Sequence, residues 1–167
     1  MDRSASVDSI SGQTVFYFAY GSNADPERFR SRVGSWRSCS AAGLKGYGLR
    51  FAASVQSEGG GGAVIDEAPD SSVDGVLYEI TPEQMVAMDR EEFDPSRDTD
   101  GKARRLTVTV STEQGVRVAK CYTVRDDGAW RAPSKRYLGF IIRGLEAAGH
   151  SRIAIERVRR TARRDEN

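Results

Sequence analysis

Histidine occurs once and cysteine twice in the 167 residues, and that scarcity removes several chemistries at the outset. A lone His150, following Gly149 at the end of a helical pattern, suits an exposed helix terminus better than a triad base. Cys-His and Ser-His-Asp nucleophilic mechanisms and zinc sites are therefore poor fits. Cys39 and Cys121 are far apart in sequence and form no cysteine framework, so both are expected as reduced, half-buried thiols. No apolar run approaches the length of a membrane span. The first fourteen residues contain no apolar segment resembling a secretory signal, and they read as a disordered lead-in to a cytoplasmic protein. The net charge of +1 supplies no general pull toward nucleic acid. The C-terminal arginines (Arg157, Arg159, Arg160, Arg163, Arg164) lack interleaved aromatics and read as a solvated tail from residue 161.

What remains is ordinary for one globular domain, spanning residues 15–160: 38% hydrophobic and 29% charged residues. Residues 15–20 alternate as a strand. Asp25, Pro26 and Glu27 mark a helix start, as cap, first position and acidic first turn. Residues 43–54 read as a strand, Ser57-Glu58 and the glycines through Gly62 as a flexible turn, and 62–68 and 73–80 as two further strands. Thr81, Pro82 and Gln84 spell a capping box opening a helix to Phe93. After a polar loop from Asp94, two strands flank a turn at Glu113-Gln114-Gly115. Ser134 opens a helix with Tyr137, Leu138, Ile141, Ile142 and Leu145 on one stripe and Gly149 as its stop, and a last short helix follows. Strands and helices mix without regular alternation, which indicates an α+β fold.

Two places carry chemistry. In "AYGSNADPER" a strand ends, Gly21-Ser22-Asn23 turns the chain, and a capped helix begins. The N–H groups of such a turn can receive a carboxylate, a phosphate or a developing oxyanion. The stretch equally suits a tight turn whose Ser22 and Asn23 bond only to local backbone. The glycines at 59–62 lack the ending of a phosphate loop, and "GLKGYG" at 43–48 is no dinucleotide fingerprint. In the helix "TPEQMVAMDREEF", Glu92 projects within about 20° of Met85, whereas Glu91 falls roughly 120° away and should be wetter. A carboxyl on a core-facing stripe needs partners, and burial makes it a proton carrier near neutral pH. The alternative is a frayed helix end with Glu92 in water, paired with Arg104 or Arg105.

These motifs together resemble the γ-glutamylcyclotransferase-like family. The similarity runs in order through "YFAYGSN" with Asp25-Pro26-Glu27-Arg28, "GGAVIDEAPDSSVDGVLYEIT", "MDREE" and "APSKRY", over residues 15–160. The resemblance implies a small mixed β-barrel flanked by helices. It implies release of an amine or amino acid from a γ-glutamyl compound, with the glutamyl part leaving as pyroglutamate and no cofactor or metal. Tyr20, Gly21, Ser22 and Asn23 would bind the glutamyl moiety through backbone amides, Glu92 would be the acid/base, and Tyr137 would lie near the substrate. The implied partner is a small γ-glutamyl substrate rather than nucleic acid or membrane, and a homodimer is compatible with it. A non-catalytic binding module retaining the fold is the rival reading. Ala24 replaces a larger apolar residue of the family pattern, Phe93 a glycine and Ala103 an aromatic, and the loop 94–102 is longer.

Overall fold

In a computed structural model, residues 12–57, 59–94, 103–125 and 128–163 are described. Five strands close into a barrel in the order β1-β3-β2-β4-β5: β1 Val15–Ala19, β2 Ser38–Ser57, β3 Gly60–Ile80, β4 Ala103–Thr112 and β5 Gly115–Val124. The β1–β3, β3–β2, β2–β4 and β4–β5 pairs are antiparallel and β1–β5 is parallel, closing through Tyr17 and Lys120. Helices α1 Pro26–Val33, α2 Pro82–Phe93, α3 Lys135–Ala148 and α4 Arg152–Arg163 surround it. The expected α+β barrel with flanking helices is thus present. Among the described residues, no helix is long and apolar enough to cross a membrane.

The helix starts follow their local chemistry. Thr81 Oγ1 accepts the Gln84 N–H while the Gln84 side chain accepts the Thr81 N–H, completing the capping box. Asp25 caps α1 through the Glu27 N–H, and Ser134 caps α3 through the Tyr137 N–H. Gly149 ends α3 at φ 89°, a left-handed conformation that glycine adopts without a Cβ penalty.

β1 is buried on both faces. Its period-two alternation sends Phe18 into a cluster with Leu44, Phe51, Leu77, Ile141 and Leu145, while Tyr17 and Ala19 join Phe29, Tyr78, Met85 and Met88. The second cluster is aromatic: the Phe29 and Tyr78 rings stack 4.1 Å apart at 7°. α4 adds Val158 and Ala162 to the first cluster, so the helix packs beyond residue 161, where the sequence places the start of a tail. Arg157 pairs with Asp74 and Arg163 with Glu156, so these two tail cations are engaged within the fold.

The glycine-rich hairpin departs from expectation. β3 runs unbroken through the two strands read at 62–68 and 73–80. Residues 68–71 bulge opposite Gly46, where the pairing shifts register and Pro69 has no ladder bond to forfeit. Gly60–Gly62 are buried strand, not flexible turn. A Cβ on Gly61 would lie 2.0 Å from the Arg131 carbonyl oxygen, and the Gly61 N–H donates to the Ala132 carbonyl at 3.0 Å. The glycines therefore seat the segment that leads into α3. Trp130 bridges to Ala52 and the Arg131 N–H donates to the Phe51 carbonyl beside them.

His150 is half-buried rather than exposed, with Nε2 2.7 Å from the Gly75 carbonyl oxygen, which requires the ring proton on Nε2. The cysteines are free; Cys39 is half-buried as expected, but Cys121 is fully buried. Burial pushes the Cys39 thiol up to about 11 and the Cys121 thiol up to about 12, so neither is an activated nucleophile.

Candidate active site

Beyond β1, Gly21 leads into one turn of 3-10 helix, Ser22–Ala24, held by the Ala24 N–H to Gly21 carbonyl and Asp25 N–H to Ser22 carbonyl bonds. The Tyr78 hydroxyl lies 3.0 Å from both the Asn23 and Ala24 carbonyl oxygens and fixes the turn from below. From the other side comes α3. A Cβ on Gly144 would lie 2.2 Å from the Ala24 carbonyl oxygen and 2.7 Å from the Ala24 Cβ, so both positions must be small. This explains the departure at Ala24: a helix rests directly on the turn. Asp25 is 5% exposed and pairs with Arg143 of α3 at 3.4 Å, a second tie between turn and helix.

The same contact places Tyr137 over Gly21. Its hydroxyl accepts the Ala63 N–H at 3.0 Å. A Cβ on Gly21 would lie 3.1 Å from that oxygen. Burial raises the Tyr137 phenol above its ordinary range; the Ala63 bond opposes this and the nearby Glu92 charge adds to it. The phenol therefore keeps its proton at neutral pH, with the oxygen accepting the Ala63 N–H and the O–H left to donate.

Asn23 is the hub. It is 6% exposed, and its Nδ2 donates to Tyr17 Oη at 3.2 Å and to Glu92 Oε1 at 3.4 Å. Its Oδ1 accepts from Arg32 of α1 at 3.2 Å, and the same Arg32 nitrogen lies 3.9 Å from Glu92 Oε1. Burial first, and then the Glu92 charge, push the Tyr17 phenol far above its ordinary range. The Tyr122 phenol is raised too, by burial and by its bond to Asp89, with Glu92 a smaller contributor. The Glu92 charge thus bears on three neutral phenols, and the Arg32 guanidinium lies beside it.

The fold brings the turn, Glu92 and Tyr137 together. The Tyr20 side chain goes elsewhere: it enters the first core cluster and donates its hydroxyl to the Tyr122 carbonyl. Glu92 pairs with Arg32, not with the suggested Arg104 or Arg105, because Arg105 is taken by Asp89 at 2.5 Å. Glu91 is half-buried like Glu92, so the expected contrast in wetness is absent. Phe93 covers the end of α2, its ring edge-on to Tyr122 at 5.7 Å. Beyond Asp94, the long loop lies outside the described residues until Ala103, which is buried at the start of β4.

The reading from sequence missed Arg32 and Tyr17. Helical spacing held a signal for the first: Arg28 and Arg32, four apart, are the half-buried arginines of α1, while Arg30 is exposed.

The family model for "Gamma-glutamyl cyclotransferase, AIG2-like" matches residues 17–139. The bovine protein named gamma-glutamylcyclotransferase is 33% identical over 111 residues, which are 64% of this chain and 57% of that protein. The chain therefore spans little more than half the length of that relative. The mouse protein of the same name is 30% identical over 142 residues, 83% of this chain and 73% of the other. A solved structure of a gamma-glutamyl cyclotransferase superposes with TM-score 0.73 at 25% identity, over 88% of this chain and 87% of that one. The matched span takes in the Gly21–Asn23 turn, Glu92 and Tyr137 together, and the chain belongs to the gamma-glutamyl cyclotransferase, AIG2-like family.

Proposed function

We propose that the protein is a γ-glutamyl cyclotransferase that uses Glu92 as its acid/base. The observation that carries this reading is the 3.4 Å approach of Glu92 Oε1 to Asn23 Nδ2, which sets a carboxylate against the Gly21–Asn23 turn with Tyr137 alongside. The reaction suits such a site because the substrate supplies its own nucleophile. The α-ammonium gives a proton to Glu92, and the freed amine nitrogen attacks the γ-carbonyl carbon. The carbonyl electron pair moves to oxygen. The oxyanion then collapses and the bond to the departing nitrogen breaks. Two protons leave the attacking nitrogen and two reach the departing one, and Glu92 relays them in turn. The products are pyroglutamate and a protonated amine.

The site's part is to hold the substrate folded, which contributes roughly 7–11 kcal/mol in the best oriented systems, and to move protons, which contributes about 10²–10⁴-fold. Main-chain donors of the turn and the Tyr137 hydroxyl suit the growing negative charge on the carbonyl oxygen. The leaving group is an amino acid, an amine or a peptide.

The test is incubation of purified protein with a panel of γ-glutamyl amino acids, amines and peptides, following pyroglutamate by mass spectrometry. Release from at least one member, abolished by Glu92→Gln in a folded protein, is the expected result. A folded wild type that releases nothing across the panel would instead favour a non-catalytic binding module.

A further inference from the structure

Glu92 occupies a position that is electrostatically unfavourable for a carboxylate. It lies in the last turn of α2, at the negative end of the helix dipole, and Asp89, Glu91 and Asp94 stand within one turn of it. Asp89 is neutralised separately, through Arg105. On the other elements packed around it, the Glu92 charge acts on Tyr17 of β1, Tyr122 of β5 and Tyr137 of α3, all phenols whose burial keeps them neutral. From α1 comes Arg32, its side chain 22% exposed, with one nitrogen 3.2 Å from Asn23 Oδ1 and 3.9 Å from Glu92 Oε1, and one turn earlier the half-buried Arg28, whose charge acts on the Tyr137 phenol.

That nitrogen closes a three-membered set. Asn23 Nδ2 reaches Glu92, Arg32 reaches the other end of the same amide, and Arg32 reaches Glu92 directly. The arrangement decides the Asn23 amide orientation: with Arg32 on one side and a carboxylate on the other, Oδ1 must face the guanidinium and Nδ2 the acid. The end of α1 that carries Arg32 is itself anchored. Gly34 stops the helix at φ 92°, and Gln84 Nε2 of α2 donates to the Val33 carbonyl at 3.0 Å and to the Ser35 carbonyl. The residue that caps the start of α2 therefore also holds the helix end whose arginine grips the far end of α2.

We infer that Arg32 is a positioning residue for the reaction: it holds the Glu92 carboxylate against the Asn23 amide of the turn and lowers the pH at which Glu92 becomes a base. This inference rests on the cyclotransferase reading above. A cation beside a carboxylate favours its ionised form, so removing the cation shifts the onset of base catalysis to higher pH.

The test compares wild type with Arg32→Gln and Arg32→Lys, each first checked for folding by circular dichroism. Wild type is assayed on the panel before the variants. Expected for Arg32→Gln is a fall of about tenfold or more in kcat, a change in KM under about threefold, and an acid limb of kcat/KM moved up by about one pH unit. Arg32→Lys, which keeps charge but loses the planar fork, should restore the limb while recovering kcat only in part. A rise in KM with kcat and the acid limb unmoved would overturn the inference, because Arg32 would then bind substrate directly. Unchanged kinetics in a folded Arg32→Gln would overturn it too. If wild type turns over no member of the panel, the cyclotransferase reading fails by itself. Carboxyl-detected NMR titration of Glu92 then still decides the electrostatic link: an upward shift in Arg32→Gln supports it and no shift overturns it.

Discussion

The two ends of helix α2 hold their side chains by different means. At the N-terminus, Thr81 and Gln84 satisfy one another's backbone donors within four residues of sequence, at the exposed surface. At the C-terminus, two acids one turn apart depend on partners from other elements. Asp89 is saturated: one oxygen takes the Tyr122 hydroxyl at 2.6 Å and the other the Arg105 guanidinium at 2.5 Å. Glu92 meets Asn23 at 3.4 Å and Arg32 at 3.9 Å, both longer than the two contacts of Asp89. Short charge-assisted bonds make a clamp, which ties α2 to β4 and β5. A proton carrier must instead exchange partners as it is protonated and deprotonated. The same residue chemistry thus serves packing at one position and, in the proposed reaction, proton transfer three residues later.

The largest expected effect comes from exchanging the roles of these two acids. Glu92→Gln should lower kcat/KM by about 10²–10⁴-fold while the urea midpoint stays near that of wild type. Asp89→Ala should do the reverse in kind. Loss of a charge-assisted bond to Tyr122, with the partly exposed Arg105 pair adding little, should destabilise by about 2 kcal/mol in urea unfolding. Any fall in its kcat should stay well below that of Glu92→Gln. If Asp89→Ala proves the more damaging to turnover, the division between clamp and proton carrier is wrong.

At the other end, Thr81→Ala removes one capping bond and should cost about 1 kcal/mol in the same assay, with the pH profile of activity unmoved. The smallest effect concerns the clamp in alkali. The Tyr122 phenol is raised by burial and its Asp89 bond, so above the ordinary value of 10 the unfolded chain loses a proton that the folded chain keeps. The folded state then binds more protons, and stability falls as pH rises beyond that point. Tyr122→Phe removes this contribution, so its urea midpoint should decline less steeply between pH 9.5 and about 11 than that of wild type. Equal slopes would mean that Tyr122 ionises as readily folded as unfolded.

Legibility in the sequence follows the same division. Caps at Asp25, Thr81 and Ser134 were readable because each involves atoms within three residues, whose geometry the helix itself dictates. The inward direction of Glu92 was readable from helical phase with Met85, although its depth was not, since Glu91 is half-buried as well. Gly60 and Gly61 were misread as turn because their purpose lies about seventy residues away, in the backbone at 131–134 that their missing side chains admit. Continuity of β3 past Pro69 was hidden likewise: a bulge tolerates proline only where the partner strand, with Gly46 at φ 85°, gives way.

Sequence alone determined the starts of α1, α2 and α3, the stop of α3 at Gly149, the alternation of β1, and the helical phase that sets Glu92 beside Met85 at the end of α2. All of these follow from local dihedral preference and from periods of two and 3.6 residues. Tertiary structure decided which partners those groups met: Arg32 for Glu92, Arg105 for Asp89, Tyr137 over Gly21, Ala24 beneath Gly144. The reason is physical. Barrel closure and helix packing bring together groups tens of residues apart, and among several arginines of equal charge only distance in the folded chain selects the one that pairs.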